Sequence, residues 1–411
     1  MSDPAQPDSH PPVRLGGFLT GVGLTQFVDS ALHLAQPLLL AKISGSLGEA
    51  ALFSAFDTAV HMFGTFIGGW PVERFGAKRV LVVATFLRGV ALAGLPIAMA
   101  GGFLTLLWAM SCYTIEALIR GFVDASVHTV PLELAQHRSG QLDRINSRYE
   151  FTFDLGGVLG PLMLGGLMIW SDKIIPHIVI PLGFVLSAGA YFFIPRRVGG
   201  APQSRHHAGT PSGAWAGIKQ VFASKPLLIT CVALMSFNIY PLRKLLSAFF
   251  AKGILHQSAS VGHIGAAFAL GGVVGALIYA RAKHSAGSGS AWIVIGALGT
   301  FVLALGWIPA NLWVMVGTVF VFALTNVWAR LTLTRKRQEL TPLEHAGGVT
   351  SAAQFGVNAV SVGIKALVGV AFTLGIGAYG AFAVVGGLLA LIGAGQLYLA
   401  RLVPKSPESS P

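Results

Sequence analysis

Gly69-Trp-Pro-Val-Glu73-Arg74-Phe-Gly76-Ala-Lys78-Arg79 is a short charged segment with an apolar span of about twenty residues on each side, the length that crosses a bilayer. Neither span is compatible with water, so the segment is predicted to be a tight turn between two membrane helices. Gly76 allows backbone angles that a side chain would forbid. Glu73 and Arg74 can pair with each other or with neighbouring helix ends. Any cytoplasmic hairpin also collects Lys and Arg, so the charge alone indicates only a membrane hairpin.

The composition of the whole chain agrees with a membrane protein. Of the 411 residues, 54% are hydrophobic and 11% are charged, whereas a soluble domain carries roughly 25% charged residues. The net charge of +12 does not indicate nucleic-acid binding, because the basic residues lie singly between apolar spans, as the positive-inside bias predicts. Cys112 and Cys231 lie far apart, which favours neither a disulfide framework nor a CxxC metal site. The polar segment 1–14 lacks the apolar core of a cleavable signal peptide.

The chain divides into twelve apolar segments of membrane-spanning length, which we number spans 1 to 12. They lie near residues 16–42, 48–71, 79–99, 103–129, 144–170, 175–195, 226–251, 259–281, 291–309, 311–333, 347–372 and 376–402. The connections that follow even-numbered spans are basic, whereas those that follow odd-numbered spans carry almost no Lys or Arg. The sequence therefore predicts an all-α membrane protein of twelve transmembrane helices with both termini in the cytoplasm.

The longest connection, 196–225, divides the chain into two halves. Its first part is rich in Gly, Pro, Ser and His and is typical of a linker, and Ala214–Ser224 can form a short amphipathic helix on the inner face. We expect an N-terminal six-helix bundle over 1–195, a cytoplasmic linker over 196–225 and a C-terminal six-helix bundle over 226–411. A weak internal echo between the segments entering spans 5 and 11 favours two pseudo-symmetric bundles around a central cavity.

The charged turn resembles the signature loop between helices 2 and 3 of the major facilitator superfamily. The family pattern is Gly, three residues, an acid, Arg, any residue, Gly and then basic residues. In this chain the matching positions are Gly69, Glu73, Arg74, Gly76 and Lys78. Glu73 replaces the usual Asp, and Ala77 replaces a usual basic residue. The resemblance implies a transporter whose two halves rock around a substrate site at mid-membrane, with this loop as a conformational switch.

Other segments resemble compact bacterial exporters and flippases of the same superfamily, which include lysophospholipid transporters and siderophore exporters. Gln26-Phe-Val-Asp29-Ser-Ala-Leu is similar to the start of the lysophospholipid transporters. The acids of spans 1 and 2 are also similar to those of ferroportin-like metal exporters, without a matching metal motif. On span 5, a run of residues resembles the antiporter glycine-proline motif with its last glycine pair displaced: Gly156, Gly157, Gly160, Pro161, Gly165 and Gly166. Generic small-residue packing explains this run equally well.

Charged groups inside the spans are the candidate functional residues, because a charge in lipid is costly and normally faces a cavity or a partner. With two polar residues of span 11, the candidates for substrate binding or coupling are Asp29, His33, Asp57, His61, Glu116, Arg120, Arg243, Lys244, Lys365, Gln354 and Asn358. An ion-pair network that braces the inner half, in which Glu116 and Arg120 also take part, is expected from Arg88, Asp124, Glu150 and Asp154.

Acidic and basic residues are segregated between the halves. Thirteen of the sixteen acidic residues lie at or before Asp172, and no span of the second half contains one. Arg243, Lys244 and Lys365 must therefore pair with the first half, snorkel to an interface or face an anionic group of the substrate. We hypothesise that Asp29 and Arg243, both placed toward the outer face of their spans, form a gating or substrate-sensing pair. Arg243 and Lys244 point about 100° apart, so at most one of them faces the cavity.

A spacing of Asp-x-x-x-His occurs three times in the first half. The pairs are Asp29/His33, Asp57/His61 and Asp124/His128. Residues four apart share a helix face, so each pair can share a proton or offer two ligands to one ion. Asp29 and Asp57 are the candidate proton carriers, because desolvation favours the neutral carboxyl group. Alternatively, iron, manganese or zinc could be bound by Asp29, His33, Asp57 and His61.

These observations predict a secondary active transporter of a small anionic or zwitterionic organic solute, working by alternating access and coupled to protons. The alternative is a divalent metal transporter. A channel or a membrane-embedded enzyme using a His fits less well, and without a P-loop, nucleophile elbow or HExxH motif we expect no enzyme. We expect no cofactor beyond a proton gradient, no nucleic-acid partner, and a monomer in the bacterial inner membrane that meets its small-molecule substrate and lipid.

Overall fold

The computed structural model of the protein describes residues 15–127, 130–135, 139–170, 174–195, 218–238, 245, 247–281, 288–306, 311–341, 346–374 and 377–403. Within these ranges the regular elements are helices, with no strand. The α-helices are α1 Gly16–Ser44, α2 Leu47–Phe75, α3 Ala77–Ala100, α4 Leu106–Val127, α5 Val130–Ala135, α6 Ser139–Trp170, α7 Ile175–Phe192, α8 Lys225–Phe237, α9 Ser260–Arg281, α10 Ser288–Leu305, α11 Leu312–Leu340, α12 Ala346–Thr373 and α13 Gly377–Leu402, with a π-helix at Phe250–Ile254.

The all-helical membrane character predicted from the sequence is confirmed. In the part of the chain that the structure describes, nine helices are long and apolar enough to cross a membrane: α2, α3, α4, α6, α7, α9, α11, α12 and α13. α8 and α10 are shorter apolar helices. The total of twelve spans and the domain boundaries at 195 and 226 stay predictions, and most of the linker, residues 196–217, lies outside the described ranges.

The charged turn is shorter than predicted, because α2 continues through residues 69–75 and α3 begins at Ala77. The prediction that the turn covers residues 69–79 is therefore wrong in its extent. The N–H of Gly76 still donates to the carbonyl of Val72, so helical hydrogen bonding extends across the charged residues. Gly76 itself has φ 83° and ψ 144°, a region that essentially only glycine occupies. The predicted bend at this glycine is confirmed.

The basic residues of this hairpin contact their own half of the chain. Lys78 Nζ donates to the carbonyl of Ile194 and lies 5.7 Å from the ring centre of Phe192, at the end of α7. A cation at the last carbonyls of a helix is favourable. The guanidinium of Arg74 lies over the ring of Phe75. Of Gly69 and Glu73 the structure describes only the helical backbone.

Span 7 is interrupted, so the continuous helix predicted over 226–251 is wrong. α8 ends at Phe237, and the chain leaves helical geometry at Asn238 with φ −86° and ψ 41°. Pro241 has no N–H to offer the carbonyl of Phe237, its acceptor four residues earlier. Asn326 Nδ2 from α11 donates to that carbonyl instead, at 3.1 Å. The helix thus ends four residues before this proline in the sequence, and a side chain from another helix hydrogen-bonds to the carbonyl of Phe237.

Two helix pairs bring the first half of the chain against the second: α2 packs on α12, and α6 packs on α9. Glycines let their backbones approach closely. A Cβ added to Gly48 would lie 2.9 Å from the carbonyl oxygen of Gly369, and one added to Gly165 would lie 3.0 Å from Cα of Gly262. Small residues of this kind are typical of helix association in lipid.

The alternating helix directions give the molecule two ends. The basic end holds the helix termini near Arg74, Lys78 and Arg335, and the distal end holds the helix termini near Gly45 and Asn311. The glycine contacts of α2 with α12 and of α6 with α9 both lie toward the distal end.

The hydrophobic core is continuous across the two halves at the distal end and divided at the basic end. The distal core joins Leu38 and Phe53 of the first half to Phe249 and Ile264 of the second. Among the described residues, the cores nearer the basic end each lie within one half. Among the described residues, the halves therefore share one hydrophobic core at the distal end and keep separate cores toward the basic end.

Candidate functional site

Arg88 on α3 is fully buried at the centre of the first half. Its Nε and Nη2 donate to Glu116 Oε1 at 2.8 and 2.5 Å. Nη1 donates to Asp29 Oδ2 at 3.3 Å, and Nη2 donates to the other oxygen of Asp29. The guanidinium lies 4.2 Å from the ring centre of Phe184. Two-point bonding to carboxylates is the arrangement that makes a buried arginine tolerable.

Arg120 on α4 is the second buried cation. Its Nη2 donates to Asp57 Oδ2 at 3.2 Å, and its Nη1 lies 3.9 Å from Glu116 Oε2. Nη1 also lies 2.9 Å from Nε2 of His33. Arginine has no acceptor, so the imidazole nitrogen facing it must be unprotonated. The contact therefore indicates a neutral His33 in this conformation.

Helical spacing brings these groups together. Asp29 and His33 are four residues apart on α1, and Glu116 and Arg120 are four residues apart on α4, so each helix presents two groups on one face. α1 and α2 both pack against α4, and α3 packs beside it. The result is one connected set, which we call the charge cluster: Asp29, His33, Asp57, Arg88, Glu116 and Arg120.

Members of the Asp-x-x-x-His repeats have partners on neighbouring helices. Asp29 contacts Arg88 and Asp57 contacts Arg120, each across a helix interface. His61 Nε2 contacts Asp124 Oδ2 at 2.8 Å, from α2 to α4. Residues four apart share a helix face, so both members of a repeat can face the same neighbouring helix. His128 lies outside the described residues.

The expected inner ion-pair network is only partly assembled as predicted. Arg88 pairs with Glu116, as expected, and also with Asp29, a predicted residue for substrate binding or coupling. Asp124 pairs with His61. The side chains of Glu150 and Asp154 lie outside the described residues.

Lys365 on α12 reaches across from the second half of the chain. It is 7% exposed, and its Nζ donates to Thr58 Oγ1 at 2.7 Å and to the carbonyl of Ser54 at 3.4 Å, both on α2. Thr58 is the neighbour of Asp57 in sequence. Lys365 thus places a positive charge from the second half against α2, one residue along the chain from Asp57.

The remaining candidates of the second half are described less fully. Arg243, Lys244 and the side chain of Gln354 lie outside the described residues, whereas Asn358 is half-buried on α12. The proposed pair of Asp29 with Arg243 therefore stays a hypothesis. In the conformation described, both oxygens of the Asp29 carboxylate bond to Arg88.

A cavity lies between α1 and α6 of the first half and α9 and α11 of the second, on the basic side of the joined core. Its polar lining comes from Gln26, Asn326 and Arg330, and its aromatic lining from Phe153 and Phe268. Small residues complete its walls. A cavity with an arginine, two amides and two rings can hold an amphipathic molecule with an anionic group.

The glycine-proline run on α6 packs against two helices. Gly156 meets α1, since an added Cβ would lie 2.7 Å from the carbonyl oxygen of Gly23. Gly165 meets Gly262 on α9, and Gly265 of α9 lies against Pro161. Close packing, one of the two interpretations from the sequence, accounts for these contacts.

The arrangement does not support the metal-transport alternative. Asp29, His33, Asp57 and His61 are each engaged by Arg88, Arg120 or Asp124 instead of converging. Across the residues that the structure describes, no group of three or more His, Cys, Asp or Glu side chains is placed to hold a metal ion.

Sequence reasoning missed several partners of these charges. Phe184 lies under Arg88, and Ser54 and Thr58 accept from Lys365. Only the position of Thr58, next to a buried Asp, carried a signal for its role. Partners contributed by other helices become visible only when the helices are packed.

Comparison with known proteins identifies the architecture. The family model of the Major Facilitator Superfamily matches residues 18–360. The multidrug efflux pump Tap of Mycobacterium tuberculosis (strain ATCC 25618 / H37Rv) is 29% identical over 261 residues, which are 61% of this chain and 61% of that protein. The chain thus spans less than two thirds of that relative's length. The multidrug efflux pump Tap of Mycolicibacterium fortuitum is 25% identical over 292 residues, 67% of this chain and 69% of that protein.

Solved structures of low sequence identity share the fold. A nucleoside transporter, NupG, superposes with a TM-score of 0.71 at 11% identity, covering 93% of this chain and 99% of that one. A bacterial homologue of the human lysosomal transporter Spinster gives 0.69 at 13% identity, covering 94% and 96%. A POT family transporter in complex with 5-aminolevulinic acid gives 0.72 at 11% identity, covering 98% and 99%.

Proposed function

Because the chain belongs to the major facilitator superfamily, we propose that it is a proton-coupled exporter of small amphipathic organic solutes that carry an anionic or zwitterionic group. One observation carries the proposal: the cavity between the two halves combines Arg330 and amide groups with aromatic rings. Arginine suits a carboxylate or phosphate, and the rings suit an apolar body. Export is supported by the similarity to efflux pumps.

Alternating access is the proposed mechanism. The joined core and the glycine contacts block the distal end, whereas the halves have separate cores at the basic end. A solute would therefore reach the cavity from the basic end in this conformation. Rocking of the halves around the cavity would close that side and open the distal side.

The charge cluster is the proposed coupling site, and a proton gradient the driving force. Three carboxylates meet at membrane depth beside a histidine that faces an arginine. Such groups inside a membrane protein are expensive and normally serve transport. We propose a bacterial inner membrane as the location, with the basic end facing the cytoplasm, as the positive-inside bias favours. We propose a monomer as the working unit.

The test uses the purified protein in liposomes with an imposed pH gradient and two dyes, anionic fluorescein and cationic ethidium. Wild-type protein should move fluorescein when the gradient is present. Arg330→Gln should lower that rate at least about tenfold, the effect of losing one charge-assisted contact. Arg335→Gln is the matched control, because Arg335 is exposed and pairs only at the surface with Glu339. Equal loss in both variants, or preference for ethidium in the wild type, would contradict the proposed solute class.

A further inference from the structure

Two amide side chains line the cavity from opposite halves of the chain. Gln26 belongs to α1 and Asn326 to α11, and they are 7% and 4% exposed. The nitrogen of each amide donates to the protein itself. Gln26 Nε2 donates to Ser30 Oγ at 3.1 Å, and Asn326 Nδ2 donates to the carbonyl of Phe237 at 3.1 Å. Both nitrogens are therefore engaged within the protein.

The contact with Phe237 fixes the orientation of the Asn326 amide. A backbone carbonyl can only accept a hydrogen bond, so the amide must present its nitrogen to it and direct Oδ1 elsewhere. Within the described part of the chain, neither Asn326 Oδ1 nor Gln26 Oε1 accepts a hydrogen bond. Neither is among the enclosed polar atoms without a partner. Because both residues line the cavity, these two oxygens are acceptors that a bound solute can reach.

The charge of the cavity wall complements these acceptors. Arg330 lies four residues after Asn326 on α11, so the two side chains share a helix face. Among the described residues that line the cavity there is no Asp or Glu. The wall thus offers one cation and two neutral acceptors. An anionic group suits the guanidinium, and N–H or O–H groups suit the amide oxygens.

We propose that the cavity selects solutes that carry hydrogen-bond donors besides an anionic group, and that Gln26 and Asn326 determine this specificity. The specificity rests on the proposed function and narrows its solute class to zwitterions and to anions with amino or hydroxyl groups. Such a solute bridges the two halves, with its anionic group at Arg330 and its donors shared between α1 and α11. A solute without donors leaves the amide oxygens unpaired on binding, which weakens its affinity.

A matched pair of dyes tests the specificity by binding alone. Rhodamine 110 and tetramethylrhodamine share a carboxylate, a flat ring system and a net charge, but only rhodamine 110 has N–H donors. Their affinities for the full chain in lipid nanodiscs are measured by fluorescence anisotropy, with empty nanodiscs to correct for partition into lipid. Wild-type protein should bind rhodamine 110 at least about tenfold more tightly, the effect of losing hydrogen bonds to buried acceptors.

Three variants separate donor recognition from a preference for the smaller dye. Gln26→Met and Asn326→Leu keep the approximate side-chain size but remove the acceptor oxygen. Each should lower the affinity ratio of the two dyes at least about threefold, the effect of one hydrogen bond. Gln36→Met is the matched control, because Gln36 is also on α1, is 4% exposed and is not among the residues that line the cavity. It should keep the wild-type ratio.

An affinity ratio near one in the wild type would overturn the specificity. A ratio that persists in both Gln26→Met and Asn326→Leu would also overturn it, because the preference would then be one of size. So would an equal loss in Gln36→Met. If Asn326→Leu fails to fold because the carbonyl of Phe237 loses its donor, Gln26→Met decides the result alone.

The proposed function can fail separately. Movement of fluorescein that depends on Arg330, together with equal affinities for the two rhodamines, would leave the proposed solute class standing and overturn the specificity. The expected affinity ratio, together with fluorescein movement that Arg330→Gln leaves unchanged, would support the amide acceptors and contradict the role of Arg330. Absence of binding by both dyes would overturn the specificity together with the proposed use of the cavity.

Discussion

The two ends of the molecule differ in how the halves of the chain meet. At the distal end one hydrophobic core runs through both halves, and glycines on α2, α6, α9 and α12 bring the backbones together. At the basic end each half keeps its own core, and Lys78 of the charged hairpin contacts α7 of the same half. In the part of the chain that the structure describes, close apolar packing between the halves is thus concentrated at the distal end.

Between these ends lies the charge cluster, within the first half and beside the second. It is held by hydrogen bonds and ion pairs, with the ring of Phe184 against Arg88. Thr58, the residue after Asp57, accepts a hydrogen bond from Lys365 of the second half. The following changes test the contrast between the packed distal end, the cluster and the basic end.

The largest effect is expected at Arg88. Arg88→Met leaves Asp29 and Glu116 buried without their shared cation, and removing one partner of a buried ion pair costs ~3–5 kcal/mol. We expect a clear loss of stability of the first half, measured by unfolding in a detergent mixture. Arg335→Met is the control and should stay within ~1 kcal/mol of wild type, because its pair is exposed. An Arg88→Met protein as stable as the control would show that the cluster does not hold the helices together.

An intermediate effect is expected at the distal end. Gly48→Leu places a side chain against the carbonyl of Gly369 and should force α2 away from α12, at a cost of ~1–3 kcal/mol for overpacking. The distance between spin labels on cysteines placed at Leu107 and Leu374, which are exposed at the distal end of different halves, should lengthen. Gly363→Ala on α12 is the matched control, since nothing lies within 4 Å of its added Cβ. Unchanged distances in Gly48→Leu would show that the distal end is not closed by this contact.

The smallest effect is expected at the basic end. Lys78→Met removes the cation from the last carbonyls of α7, worth ~0.3–1 kcal/mol. Faster amide exchange should be confined to the end of α7, and the distal label distance should not change. Arg79→Met, next to it and exposed, is the control. A change in the distal distance would mean that the hairpin acts on both ends.

Much of the fold was predictable from hydropathy and charge. The membrane helices follow from apolar length, because unsatisfied backbone groups are not tolerated in lipid. The bend at Gly76 follows from the freedom of glycine. The end of the helix at Phe237 was not predicted, because the apolar segment continues beyond it and hydropathy does not detect a helix break. The proline at position 241 was the available sequence signal. The length of the charged turn was overestimated because charged residues continue a helix readily near its end.

The candidate site was predictable in its membership but not in its pairing. Asp29, Asp57, Glu116 and Arg120 were found because a charge inside an apolar span is conspicuous. That Arg88 binds Asp29 depends on the rotation of α1 against α3, which no spacing within one helix reveals. The cavity is also a product of four helices from both halves of the chain.

Hydropathy and charge along the chain were enough to show a helical membrane protein, to identify the charged residues inside its spans, and to show that no span of the second half contains an acid. These are properties of single segments. They can be inferred from the sequence because polar and charged groups are costly in lipid. The packing of the helices shows which charges meet, that Lys365 bonds to Thr58 across the two halves, and that one hydrophobic core joins the halves at the distal end. Those facts depend on how helices far apart in sequence rotate and approach one another. Many arrangements of the helices would satisfy the same hydropathy pattern, and close packing favours one of them.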